Sequence, residues 1–136
     1  MRAVVSEGWG GLGSQQFPSN AFLIGDVPHH WLFRRVSAVV HHGGAGTSAA
    51  AMGAGKPSVT VPFFGDQFFW GTMVQKAGVG AKLLSGKALT VSFLAAAIIE
   101  VLQPAVFDRA EVLGKLIDGE KGTGAGCVSL HQRMEA

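Results

Sequence analysis

The chain has 136 residues, of which 48% are hydrophobic, enough apolar material for one globular unit, and we expect a single domain over 1–136. The net charge is +2 and the eleven Lys and Arg are scattered, which argues against a nucleic-acid partner. The single cysteine, Cys127, excludes an internal disulfide and is typical of a reducing compartment. No segment has the pattern of a signal peptide or transmembrane helix, so we expect a soluble, cytoplasmic protein.

Apolar runs separated by glycine and proline divide the chain into short alternating strand and helix patterns. The runs at 37–40 and 58–62 are almost wholly apolar, which is typical of parallel strands buried on both faces. The predicted helix at 91–102 is apolar enough that we expect it to be largely buried. Together the patterns predict an α/β fold, a Rossmann-like parallel sheet with flanking helices. Strands are predicted at 2–5, 21–24, 37–40, 58–62 and 81–84, and helices at 29–35, 47–55, 68–77, 91–102, 106–117 and 125–134.

Candidate chemistry is concentrated at 41–47, where the strand at 37–40 leads through His-His-Gly-Gly-Ala-Gly-Thr into a helix expected to be capped by Thr47 or Ser48. No Lys or Arg stands between 36 and 55, so an anion here would be held by backbone N–H groups at the helix N-terminus. The Thr47 hydroxyl and the His42 imidazole are further donors. The alternative is an ordinary strand–helix turn in which the glycines only permit close packing.

A second polar cluster follows the strand at 58–62, where Asp66 and Gln67 stand in an aromatic-rich segment. A carboxylate and an amide beside aromatic rings are suited to vicinal sugar hydroxyls, although Asp66 could instead cap the following helix. Because the carboxyl ends of parallel strands meet at one edge of a sheet, we expect this cluster and the glycine-rich turn to lie close together.

The turn has two further interpretations. Residues 44–49 match the pattern GxGxxG/A, with Asp66 roughly twenty residues on, as in an NAD-binding Rossmann domain. Against it, the strand ends in two histidines where that fold normally has small or apolar residues. Adjacent His41 and His42 also suggest zinc, but neighbours on a strand point to opposite faces and no third ligand is evident, so we expect no metal.

The segments 28–33, 41–47 and 62–69, in this order, resemble the donor-binding signature of the UDP-glycosyltransferases (GT-B, family 1), most closely the sterol 3-beta-glucosyltransferases. The resemblance covers most of the chain. It implies that 1–136 is most of the C-terminal, donor-binding half of a GT-B fold. It further implies inverting, metal-independent transfer of glucose from UDP-glucose, or of a hexose from a related UDP-hexose, to a lipid or sterol hydroxyl, with no cofactor besides this donor.

The resemblance also implies roles for individual residues, none of them catalytic. The backbone of Val27 would pair with the uracil and His29 would lie near the nucleoside. Residues within 42–47 would hold the diphosphate, and the pair 66–67 would bind the hexose hydroxyls. The implied donor-binding residues are Val27, His29, His42, Ala45, Gly46, Thr47, Asp66 and Gln67.

In enzymes of this family the N-terminal half binds the acceptor and supplies the general base, and we expect this chain to lack that half. The lipid or sterol would then be bound by a missing N-terminal domain or by a separate subunit, and the full enzyme would associate with membranes peripherally. Two versions stay open: part of a single enzyme, or a non-catalytic nucleotide-sugar-binding subunit that needs an acceptor-binding partner.

Overall fold

A computed structural model of the chain describes residues 1–7 and 16–120. The predicted helix at 125–134, Cys127 and part of the turn after the first strand lie outside the described residues. The strands are β1 (Ala3–Ser6), β2 (Ala21–Ile24), β3 (Val39–His41) and β4 (Ser58–Thr60). The helices are α1 (His29–Leu32), α2 (Ala45–Gly53), α3 (Gln67–Lys76), α4 (Val91–Val101) and α5 (Pro104–Gly119), with 3₁₀ turns at Phe33–Arg35 and Gly86–Ala88.

The described strands form two separate parallel pairs. β1 pairs with β2, and β3 pairs with β4, where Val40 lies opposite Val59. The prediction of parallel strands with flanking helices is confirmed, whereas a continuous sheet is not observed among these residues. The expected strand at 81–84 is wrong in detail: it is reduced to a bridge between Gly80 and Ser58, although the Leu84 N–H still donates to the Thr60 carbonyl at 3.2 Å.

The β3–α2–β4 unit positions the glycine-rich turn. α2 begins at Ala45, two residues earlier than predicted, and the extended backbone of Gly44 occupies the N-cap position. The prediction that Thr47 or Ser48 caps this helix is therefore wrong, because the glycine turn is tight enough to place both residues inside the helix. At its other end Gly55, with φ +66°, adopts the left-handed conformation that reverses the chain into β4.

The described residues contain three small apolar clusters, two of which pack on opposite sides of the β3–β4 pair. Val59 of β4 is completely buried with Ala97 and Val101 of α4. Val39 alternates to the opposite face and packs with Phe33 and with Ala51 of α2. The third cluster joins the end of α3 to α5 and contains Val74, Val79 and Ala110.

Two burial predictions are wrong. The strand at 37–40 is not buried on both faces, because Val40 is 49% exposed while Val39 is buried. Helix α4 is not largely buried either: it packs on β4 with one side only, so Phe93 and Ile99 remain 58% and 59% exposed. In the described part of the chain no single helix is long and apolar enough to cross a membrane, and α4 with α5 meets that test only as a pair bent by 66°.

Candidate functional site

The structure brings the two polar clusters together at one edge of the β3–β4 pair, as expected for parallel strands. The contact is made by Gly43, whose φ of +91° favours glycine. A methyl group on this residue would lie 2.7 Å from the Gln67 carbonyl oxygen and 2.7 Å from the Thr60 methyl group. The turn after β3 therefore rests directly on the start of α3.

The exposed His42 side chain lies beside the N-terminus of α2. Its Nε2 atom is so close to the α-carbon of Gly44 that a methyl group there would overlap the imidazole. Residue 44 is therefore glycine for a steric reason that the sequence pattern did not indicate: it makes room for the His42 ring. The ring therefore lies next to the first turn of the helix.

The first turn of α2 presents backbone donors. The Ser48 N–H makes the first bond of the helix, to the Gly44 carbonyl at 2.9 Å, which leaves the N–H groups of Ala45, Gly46 and Thr47 without an intrahelical partner. No side chain caps this end and no acidic residue lies in its first turn. These N–H groups, the positive end of the helix dipole and His42 together form a surface suited to an anion.

His41 stabilises the glycine-rich turn after β3 through a hydrogen bond. Its Nδ1 atom accepts a hydrogen bond from the Gly43 N–H at 3.0 Å, so a neutral ring carries its proton on Nε2, which is buried without a protein partner. Burial, and to a smaller extent the nearby charges of His42 and His29, lower the pKa of His41 to about 4. The sequence suggested for this residue only a metal-ligand role, which was set aside, and did not indicate that its Nδ1 atom accepts a hydrogen bond from the glycine-rich turn.

We expect the domain to become less stable as the pH is lowered, because the unfolded state protonates His41 more readily than the folded state does. The unfolded histidine has a pKa near 6.5 and the folded one about 4, so below pH 6.5 the unfolded state binds the proton first. The free energy of unfolding should therefore decrease by up to about 3 kcal/mol between pH 6.5 and pH 4. Urea unfolding of the wild type and of His41→Asn, which keeps an acceptor near Nδ1 but does not titrate, measures this contribution.

The matched control is His30→Asn, because His30 is an exposed residue of α1. We expect it to keep the wild-type slope of stability against pH, whereas His41→Asn should flatten the slope. Equal slopes for the wild type and His41→Asn would contradict the assignment.

Gln67 and Asp66 have different structural roles. Gln67 is buried, and its Oε1 accepts from the N–H groups of Phe63 at 2.9 Å and Phe64 at 3.3 Å, which fixes the loop after β4. Asp66 occupies the N-cap position of α3, but its carboxylate makes no capping bond, so the capping alternative is wrong. Its Oδ2 instead accepts from the indole N–H of Trp70 at 3.2 Å, and the exposed carboxylate keeps further acceptor positions for a ligand.

The remaining two candidates lie before and at the start of α1. His29 is exposed and stacks on Phe33, with 4.8 Å between ring centroids. Its charge is the smallest of the three causes that lower the pKa of His41. Val27 is half-buried, two residues earlier in the chain. Among the described residues, no group of three or more His, Cys, Asp or Glu side chains could hold a metal ion.

Comparison with known proteins identifies relatives of this arrangement. A family model, erythromycin biosynthesis protein CIII-like, C-terminal domain, matches residues 9–115. The sterol 3-beta-glucosyltransferase UGT80B1 of Arabidopsis thaliana is 44% identical over 135 residues, covering 98% of this chain and 22% of the plant protein. The sterol 3-beta-glucosyltransferase of Komagataella phaffii is 39% identical over 142 residues, covering 99% and 12%. The chain thus spans about a fifth or less of these relatives.

Solved structures of glycosyltransferases share the fold. The glycotransferase of kitacinnamycin matches with a TM-score of 0.84 and 24% identity, over 96% of this chain and 34% of its own. The spinosyn rhamnosyltransferase SpnG matches with a TM-score of 0.80 and 25% identity, over 94% and 35%. These neighbours have the GT-B fold, and the family match favours a glycosyltransferase over the dinucleotide-binding alternative. The chain therefore belongs to the family of the erythromycin biosynthesis protein CIII-like, C-terminal domain, and it is similar over almost its whole length to part of the sterol 3-beta-glucosyltransferases.

Proposed function

We propose that this domain binds UDP-glucose and forms the donor-binding half of an enzyme that transfers glucose to a sterol or lipid hydroxyl. One observation carries the proposal. The contact of Gly43 with Gln67 places an anion-binding helix N-terminus and an exposed carboxylate at the same edge, which is what a donor with a diphosphate at one end and a hexose at the other requires.

The diphosphate belongs at the N-terminus of α2. As the glycosidic bond breaks, negative charge grows on the departing UDP, and the free N–H groups of Ala45, Gly46 and Thr47 in the first turn of α2 would stabilise it. His42 donates one further hydrogen bond. Because these donors interact more strongly with the developing charge than with the bound substrate, they lower the barrier without a metal ion.

The hexose belongs beside the loop after β4. The Asp66 carboxylate accepts hydrogen bonds from sugar hydroxyls, and the Nε2 group of Gln67 donates one, since its Oε1 is engaged by the loop backbone. The nucleoside then extends toward α1, with His29 and the backbone of Val27 as its contacts. Inverting transfer needs a general base on the acceptor side, which we assign to an N-terminal domain or separate subunit that also binds the acceptor.

Calorimetric titration with UDP-glucose and with UDP tests this proposal. His42→Ala removes a charge-assisted donor, so we expect affinity for both ligands to fall about 10-fold to 100-fold. Asp66→Ala should lower the affinity for UDP-glucose by a similar factor and leave the affinity for UDP unchanged, because the carboxylate contacts only the hexose. His30→Ala, on the exposed side of α1, is the control and should bind both ligands like the wild type.

Four outcomes would count against the proposal or refine it. A folded chain that binds neither ligand, or that is stabilised by NAD and not by UDP, would overturn it. If Asp66→Ala lost affinity for UDP and for UDP-glucose equally, the Asp66 carboxylate would not be a contact of the hexose. Glycosyl transfer by the purified chain alone would exclude the version in which a separate acceptor-binding subunit is needed.

A further inference from the structure

Four buried side-chain polar atoms in the described part of the chain have no hydrogen-bond partner in the protein. They are the hydroxyl oxygens of Ser48, Ser58 and Thr60 and the Nε2 atom of His41. Ser48 is completely buried, and Ser58 and Thr60 are each only 1% exposed, so bulk solvent does not reach the hydroxyls. Native proteins pair nearly all buried polar groups, because an unpaired one is costly. Such a group of unpaired atoms therefore indicates a partner that is not part of the polypeptide.

The strand residues of this group lie on one face of the β3–β4 pair. His41 and Thr60 are register partners, and Ser58 precedes Thr60 by two residues, so the three side chains project from the same face. Val39 projects from that face as well and packs with Ala51 of α2. The unpaired atoms of the strands therefore lie on the side that α2 covers.

Ser48 approaches this layer from the helix. It precedes Ala51 by three residues and Met52 by four, so on the surface of α2 it lies between these two side chains. Ala51 packs with Val39 of β3, and Met52 packs with the cluster that contains Val74 of α3. The completely buried Ser48 thus points into the space between α2 and the strands.

The four residues also lie toward the same end of the strands. The chain reverses at the glycine-rich turn, so the step from Ala51 back to Ser48 leads in the same direction as the step from Val39 to His41. Gly43 contacts the strand residues at that end: its N–H donates to His41 Nδ1 at 3.0 Å, and a methyl group on it would lie 2.7 Å from the Thr60 methyl group. The unpaired atoms are thereby gathered beneath the start of α2.

The chemistry of these atoms suits water. Each hydroxyl can donate one hydrogen bond and accept others, and the Nε2 group of the neutral His41 donates one. A buried water molecule typically makes about three hydrogen bonds, to polar groups that otherwise lack partners. The four residues include no carboxylate to balance a buried cation, whereas a neutral ligand that both donates and accepts can satisfy all of them.

We propose that Ser48, Ser58, Thr60 and His41 form a binding site for internal water between α2 and the β3–β4 pair. The bound water joins the helix that carries the free N–H groups of residues 45–47 to the ends of both strands. The proposal does not depend on which ligand binds at the edge of the strands.

Oxygen-17 relaxation dispersion of the solvent tests the site. The method detects water molecules that stay in a protein longer than the protein takes to tumble, and exchange of hydroxyl protons does not affect it. We expect a dispersion in the wild type, and we expect its amplitude to fall by the equivalent of at least about one water per chain in the triple variant Ser48→Ala, Ser58→Ala, Thr60→Val. Ser92→Ala, at an exposed position of α4, is the matched control and should keep the wild-type amplitude.

Urea denaturation of Thr60→Val is the second measurement. Valine has nearly the shape of threonine and is equally suited to a strand, so the substitution removes mainly the hydroxyl. If the hydroxyl binds internal water, its loss leaves the water with one partner fewer, and the unfolding midpoint should move to lower urea. A hydroxyl that is truly unpaired would give the opposite shift, because its removal abolishes a desolvation cost.

Three results would overturn the proposal. One is a wild type without any dispersion, a result that needs no variant to fold. Another is an equal dispersion amplitude in the wild type and in the folded triple variant. The third is an unfolding midpoint of Thr60→Val at or above that of the wild type.

Discussion

We expect Gly44→Ala to weaken the binding of UDP almost as much as His42→Ala does. The methyl group would overlap the Nε2 atom of His42 and force the imidazole away from the first turn of α2. The diphosphate would then lose the hydrogen bond from the His42 imidazole, although His42 itself is still present. We expect affinity for UDP to fall about 10-fold to 100-fold, measured by calorimetry.

Gly53→Ala is the matched control because it lies in the same helix and its new methyl group would meet the Ile117 side chain at an ordinary 3.8 Å. It should bind UDP like the wild type. The double variant His42→Ala with Gly44→Ala sharpens the test: if alanine at residue 44 acts through the imidazole, it adds little once the ring is absent. Unchanged UDP affinity in Gly44→Ala, or fully additive losses in the double variant, would contradict this mechanism.

Gly114→Ala should cause a large loss of stability. Gly114 lies in α5 where the helix crosses the chain after α2, and a methyl group would lie 2.6 Å from the α-carbon of Gly55 and 2.7 Å from its nitrogen. The obstacle is backbone, which cannot rotate aside as a side chain can. We expect the free energy of unfolding to decrease by about 3 kcal/mol, measured by urea denaturation.

The control for this substitution is Gly119→Ala, in the last turn of the same helix, where a methyl group would meet nothing within 4 Å. It should change the free energy of unfolding by less than about 0.5 kcal/mol. A loss for Gly114→Ala no larger than that of this control would show that α5 can shift away from Gly55 without cost.

The order of elements and the position of the site were predictable because they depend on local signals. The apolar runs at 37–40 and 58–62, separated by an alanine-rich helix, indicated two parallel strands, and the structure contains them as β3 and β4. Parallel strands place their carboxyl ends at one edge, so the meeting of the glycine turn with Gln67 followed from topology alone.

The errors concern properties that depend on neighbours. Apolar composition predicted that α4 and both faces of the strand at 37–40 are buried, yet hydrophobicity reports what a segment could bury and not which partner is present to cover it. Val40 and Phe93 are exposed for that reason. The hydrogen bonds could not be predicted either. Sequence spacing does not show that the Gln67 amide oxygen accepts from the backbone N–H groups of Phe63 and Phe64.

His41 illustrates the same limit at the level of chemistry. As one of two adjacent histidines it suggested a metal ligand, and the sequence assigned anion binding to His42 without indicating a structural role for His41. The two residues differ in burial. The His41 Nδ1 atom accepts from the Gly43 N–H within the turn, while the His42 side chain is exposed. Alternation along a strand predicted opposite orientations, but it could not indicate which of the two rings is buried.

Gly43 has a consequence for the dimensions of the site. The turn after β3 and the start of α3 touch through backbone at this residue, with no room for even a methyl group between them. The spacing between the first turn of α2 and the start of α3, where Asp66 lies, is therefore fixed by main-chain contact and cannot adjust through side-chain rotation. Under the proposed function, this contact would set the distance between the diphosphate site at α2 and the hexose site at Asp66.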